Sequence, residues 1–226
     1  SMAVVIGAFV LVHQASAESF GGQVVKFDDL EPIMIEAFEA PQPGDPAPDF
    51  EVVRMNDKKT TKLSDLWQEK PVVLLFGSLT CDYSCRFAGD VRKLHHRFVD
   101  HANFAYLYVR EAHSSDGWFK SEEISIIEDP KTEAERYNAA LQFQERGQYP
   151  FPIYLDPLND AVAKAYRAWP TRIFVIGKGG RVAFTGATGP WGFRPLRSTE
   201  MIEPNLDLGY DYVPKRRDRV SIEAFL

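Results

Sequence analysis

The only thiols in the chain are Cys81 and Cys85, separated by three residues in FGSLTCDYSCRF (76–87). A thiolate is both a nucleophile and a soft metal ligand. The pair therefore fits three chemistries: a redox couple, one working thiol with a bystander, or two metal ligands. A working thiol needs a partner that manages protons and a group that stabilises charge. YVREAHSSDGW (108–118) supplies Glu111 and His113, with Glu111 able to orient His113 or to share a proton with it. Gly77, Ser78 and Thr80 offer a tight turn with hydroxyls beside Cys81. Arg172 is a candidate for steering an anionic or phenolic substrate group, or for capping a strand.

These residues need elements to hold them. PVVLLF (71–76) is a short, continuous apolar run, which suits a strand buried on both faces. Phe87, Val91, Leu94 and Phe98 recur on one face of a helix, which the pattern begins near Asp82. NFAYLYV (103–109) and FPIYLD (151–156) read as strands, and KTEAERYNAALQFQ (131–144) as a helix capped by Thr132 with Glu135 three residues on. NDAVAKAYRA (159–168) predicts a short helix, and RIFVIGKGGRVAF (172–184) a hairpin. Alternating strands and helices ending in a hairpin imply an α/β layer with a mixed sheet flanked by helices, which suits a thioredoxin-like fold. Cys81 then follows the first buried strand and opens a helix. Unpaired N–H groups there favour a thiolate, so a depressed Cys81 pKa is expected. Cys85 lies about one helical turn on and is able to face Cys81. Pro170, in WPT before the strand at 172, occupies the place where this fold commonly carries a cis-proline.

Composition sets the outer bounds. The chain has 226 residues with 45% hydrophobic and 26% charged, ordinary material for a folded domain. Its net charge of −6 and the lack of a basic stripe argue against nucleic acid as a partner. No stretch reaches the roughly 18 apolar residues that a membrane span requires. AVVIGAFVLV (3–12) followed by HQASA reads either as a signal-like segment or as an element packed on the domain, so the compartment stays open. PQPGDPAPDF leads into a domain spanning 44–195, between an extension at 1–43 and a tail at 196–226.

FGSLTC followed by a helix, and then EAHSSDGW, resembles the iodothyronine deiodinase family across roughly residues 45–195. Those proteins are thioredoxin-fold selenoenzymes that remove iodine from phenolic rings with thiol reductants. The resemblance puts Cys81 in the selenocysteine place and Ser78 and Thr80 on the hydroxyls of the active turn. Tyr108, Glu111 and His113 fall on the strand-end cluster beside the reacting atom, and Arg172 on an arginine of the substrate cleft. Tyr108, Arg172 and Pro170 are thus the expected substrate-side residues. The chain departs from the family in having Cys81 for selenocysteine and Leu79 where many members carry a second cysteine. The family's additional histidine, expected near 126–132, is absent.

The resulting expectation is a thiol-dependent oxidoreductase. Cys81 is its nucleophile, His113 and Glu111 handle protons, and Cys85 is the candidate resolving thiol. No resident cofactor or metal is expected, and an external thiol or a thioredoxin-type protein supplies electrons. The substrate is a small molecule, with halogenated aromatics implied by the resemblance, and a homodimer is an open arrangement. Two readings compete. A copper carrier would use Cys81 and Cys85, with His113 as third ligand because no histidine follows it. A peroxiredoxin-like peroxidase would want its threonine three residues before the cysteine, whereas Thr80 is adjacent.

Overall fold

The computed structural model describes residues 40–189 apart from 118 and 121, together with 193, 195, 196 and the short strands β1 (Ser19–Phe20) and β2 (Gln23–Val24). The apolar segment 3–12 and the tail beyond 196 lie outside the described residues. From residue 51 the order is β3 (Glu51–Arg54), β4 (Thr60–Lys62), β5 (Val72–Gly77), α1 (Asp82–Arg86), α2 (Ala88–Phe98), β6 (Asn103–Tyr108), α3 (Glu133–Gly147), β7 (Ile153–Leu155), α4 (Ala161–Tyr166), β8 (Arg172–Ile176) and β9 (Val182–Thr185). Seven of these strands form one mixed sheet in the order β4-β3-β7-β6-β5-β8-β9. β5, β6 and β7 run parallel, and β3, β4, β8 and β9 join antiparallel at the flanks. This is the mixed sheet flanked by helices that the strand–helix alternation implies, in a thioredoxin-like arrangement.

Burial follows from alternation along the strands. All six residues of β5 are buried, because helices cover both faces. Val73, Leu75, Tyr106 and Tyr108 pack with Val91 and Leu94 of α2 and Ala140 and Phe143 of α3. Val72, Leu74, Phe76 and Leu107 pack on the opposite face with Val162 and Tyr166 of α4 and with Trp67. Thr132 caps α3 as expected: its hydroxyl accepts from Glu135 N at 3.2 Å, and the Glu135 carboxylate accepts from Thr132 N at 3.0 Å. The hairpin turn closes with Gly180 at φ +69, a conformation that glycine adopts without strain.

Two differences from the sequence expectation bear on the site. The helix read as continuous from Asp82 breaks at Phe87 (φ −93, ψ 10), which ends α1 and starts α2. Phe87 faces Phe193 edge-on at 6.2 Å rather than simply extending the apolar stripe. The β3–β4 hairpin has no counterpart in the sequence reading. Its strands are short and partly exposed, and they bury only enough to extend the β7 edge.

Asp156 follows β7 and is fully buried, and its carboxylate accepts from Val162 N at 3.0 Å and Ala163 N at 3.1 Å. Burial outweighs those two bonds and pushes its pKa up to about 7. The folded state therefore holds this proton when the unfolded state has released it. Stability from Asp156 is present below pH of about 4 and is lost as pH rises toward 7. Asp156→Asn is expected to flatten this fall, read as the wild-type-minus-variant difference in urea midpoint across that window. Parallel pH profiles would contradict it.

Candidate active site

The turn between β5 and α1 carries Cys81, and the loop after β6 stitches that turn in place. Val109 N donates to Gly77 O at 3.1 Å and Ala112 N to Ser78 Oγ at 3.3 Å. Leu79 N donates to Tyr108 Oη at 3.3 Å. Glu111 is the hub. Its Oε2 accepts from Thr80 N at 2.8 Å and from Thr80 Oγ1 at 2.6 Å, and its Oε1 accepts from Tyr108 Oη. Thr80 Oγ1 in turn accepts from His113 N at 3.1 Å. Ser78, Thr80, Tyr108, Glu111 and His113 thus form one network around the backbone that leads into Cys81. Asp129 extends it by accepting from Glu111 N at 2.9 Å.

The roles within this network differ from the expectation in one respect. The Glu111 carboxylate is occupied by Thr80 and Tyr108, and its link to His113 runs through the backbone via Thr80. The His113 ring instead feels Asp82 and the Phe119 backbone, and lies 5.1 Å from the Phe119 ring. Burial holds the His113 pKa below its ordinary value, so the imidazole is neutral and able to accept a proton at neutral pH. Burial raises the Glu111 pKa, against the donors that favour its charged form.

Cys81 is the N-cap residue of α1, only 2% exposed. The backbone of Tyr83 and Ser84 and the Ser84 hydroxyl all favour its thiolate, yet burial dominates and pushes the pKa up to about 12. The expected depression is therefore reversed. α1 is a single short turn, and its few N–H groups do not offset complete removal of the sulfur from water. At neutral pH the group is therefore a thiol. Cys85 is half-buried, and its thiol donates to Leu79 O at 3.3 Å. Burial raises its pKa as well, to about 11. Both cysteines are free.

The Trp169–Pro170 bond is cis, as the position in WPT suggests. Thr171, which the sequence reading passed over, donates its hydroxyl to Phe76 O at 2.7 Å and so ties the proline loop to the end of β5. Arg172 opens β8. It is buried, its Nη1 donates to Arg167 O at 2.9 Å at the end of α4, and burial lowers its pKa to about 10. Among the described residues, no three His, Cys, Asp or Glu side chains converge in a way that holds a metal ion.

The iodothyronine deiodinase family model matches residues 25–205. This chain belongs to the iodothyronine deiodinase family. Among its relatives, thyroxine 5-deiodinase of Gallus gallus is 32% identical over 161 residues, covering 71% of this chain and 62% of that protein. Thyroxine 5-deiodinase of Rattus norvegicus is 29% identical over 161 residues, covering 71% of this chain and 52% of the relative. This deiodinase-family chain thus aligns with between half and two thirds of the length of those relatives. An uncharacterized conserved protein from Geobacillus kaustophilus shares the fold, with a TM-score of 0.50 at 17% identity over 64% of this chain and 68% of that one. The described geometry gathers the turn hydroxyls, Tyr108, Glu111 and His113 around the backbone that leads into Cys81.

Proposed function

We propose that the chain is a thiol-dependent oxidoreductase in which Cys81 attacks a halogenated aromatic or a disulfide. The observation that carries this reading is the Glu111-centred network, which immobilises the one turn that presents a cysteine next to the cis-proline loop. Three donors converge on a single buried carboxylate there. Preorganisation on that scale is a feature of sites that position a reacting atom.

The steps balance with a thiol as the electron source. In dehalogenation, the Cys81 sulfur bonds to the halogen, the carbon–halogen bond breaks, and the ring carbon takes a proton, leaving a sulfenyl halide. A second thiol then displaces halide to give a disulfide, and a further thiol reduces that disulfide. With a disulfide substrate, Cys81 displaces one sulfur as a thiol and forms a mixed disulfide. Neutral His113 accepts the Cys81 proton. An external thiol or a thioredoxin-type protein is the reductant in this reading, and Cys85, one helical turn after Cys81, is its resolving thiol.

The test is iodide release from 2,6-diiodophenol, and thiol release from an aromatic disulfide, with dithiothreitol or reduced thioredoxin as donor. Release of neither product by the reduced protein would contradict the reading. Cys85→Ser is expected to keep the first product-forming step and to slow recycling by roughly tenfold with thioredoxin. Dithiothreitol, small enough to attack Cys81 directly, should be affected less. Cycling unchanged from wild type with both donors would remove Cys85 from the mechanism.

A further inference from the structure

Ser84 and Tyr106 carry two hydroxyls that the Glu111 network does not use. Both residues are 0% exposed, and neither Ser84 Oγ nor Tyr106 Oη has a protein hydrogen-bond partner of good geometry. Buried hydroxyls are nearly always paired, because an unpaired one has given up water for nothing. These two lie together against Gly77. A Cβ built on that glycine would stand 2.3 Å from Ser84 Oγ and 2.9 Å from Tyr106 Oη, so the missing side chain makes the space that they fill. Ser84 is the third residue of α1, three positions after Cys81, and its hydroxyl bears on the Cys81 sulfur. The Tyr106 hydroxyl bears on Ser84 and feels both cysteines. Tyr149 Oη, just after α3, donates to Ser84 O at 3.4 Å and steadies that backbone.

We propose that Tyr106 and Ser84 form a donor chain, Tyr106 O–H to Ser84 Oγ and Ser84 O–H to Cys81 Sγ, that is completed when Cys81 becomes a thiolate. A thiol sulfur is a weak acceptor and a thiolate a strong one. While Cys81 keeps its proton, the chain ends on a poor acceptor and the Ser84 hydroxyl has no strong one. When the proton leaves, the sulfur becomes the acceptor that Ser84 lacks, and Tyr106 donates to Ser84 behind it. The titratable groups that face Cys81 among the described residues are Cys85 from α1, Tyr106 from β6 and Tyr149 after α3. Burial keeps all three uncharged at neutral pH, and ionised each would be an anion, so none of the three can offset the charge of a thiolate. Ser84 is the direct donor, and Tyr106 is a positioning residue that acts through it.

This inference rests on Cys81 being the reacting thiol, but its test requires no turnover. In a Cys85→Ala background, methyl methanethiosulfonate converts the Cys81 thiolate to a methyl disulfide and releases methanesulfinate. The rate is followed by intact mass between about pH 7 and 10. Ser84→Ala is expected to slow the reaction roughly tenfold at each pH. Tyr106→Phe, which keeps the ring, should slow it about threefold, and the double variant should be no slower than Ser84→Ala alone. Unchanged or faster modification in Ser84→Ala would overturn the chain, and so would a Tyr106→Phe effect that persists without Ser84. Turnover that survives Cys81→Ser would sink the proposed function and leave these rates standing.

Discussion

Cys81→Ser is expected to lower reductive turnover by at least about a thousandfold with either a halogenated phenol or a disulfide. Serine oxygen forms neither a sulfenyl halide nor a disulfide, and its proton is held far more tightly than that of a thiol. Loss of the fold would not explain such a result. Cys81 is a small N-cap residue, and serine is a favoured N-cap residue, so the melting temperature should stay within a few degrees of wild type. Steady-state product release and thermal melting, measured on the same preparation, separate the two effects. Turnover within about tenfold of wild type would transfer the chemistry to Cys85.

Glu111→Ala is expected to destabilise the protein by about 2–4 kcal/mol and to lower turnover at the same time. The substitution strands Thr80 N–H, the Thr80 hydroxyl and the Tyr108 hydroxyl, three donors that converge on one carboxylate in a buried site. Thr80 also accepts from His113 N, so the loss propagates to the loop carrying the proposed proton acceptor. Glu111→Gln keeps an acceptor for Thr80, and its amide N–H₂ is able to donate to Tyr108 Oη. That variant should lose only about 1 kcal/mol. Urea unfolding of both variants tests this. Equal stability of Glu111→Ala and wild type would remove Glu111 as the hub.

Much of this arrangement is legible in residue order. PVVLLF announces a strand covered on both faces, because no polar residue interrupts it, and Thr132 with Glu135 announces the start of α3. Cys81, Thr80, Glu111 and His113 stand out because their types carry chemistry and they follow buried strands. What stays hidden depends on contacts across the sheet. Glu111 pairing with Thr80 rather than with His113 is settled by where the 109–113 loop crosses the turn, which no local pattern encodes. The break at Phe87 breaks no periodicity, since an apolar residue belongs there in either a straight or a broken helix. Ser84 and Tyr106 look like an ordinary helix serine and an ordinary strand tyrosine until Gly77 is seen to bring them together. The raised Cys81 pKa is hidden for a similar reason: the position at a helix start is visible in sequence, whereas complete burial of the sulfur is not.

The measurement that bears most directly on Cys81 as the reacting thiol is a peptide map after a single turnover without reductant. Fully reduced protein is mixed with one equivalent of an aromatic disulfide, and in parallel with one equivalent of 2,6-diiodophenol, then quenched in acid and digested. The expected result is loss of the free Cys81 thiol in step with product. The sulfur should appear as a mixed disulfide, or as a disulfide to Cys85 after resolution. Product formed while Cys81 remains a free thiol would contradict the account.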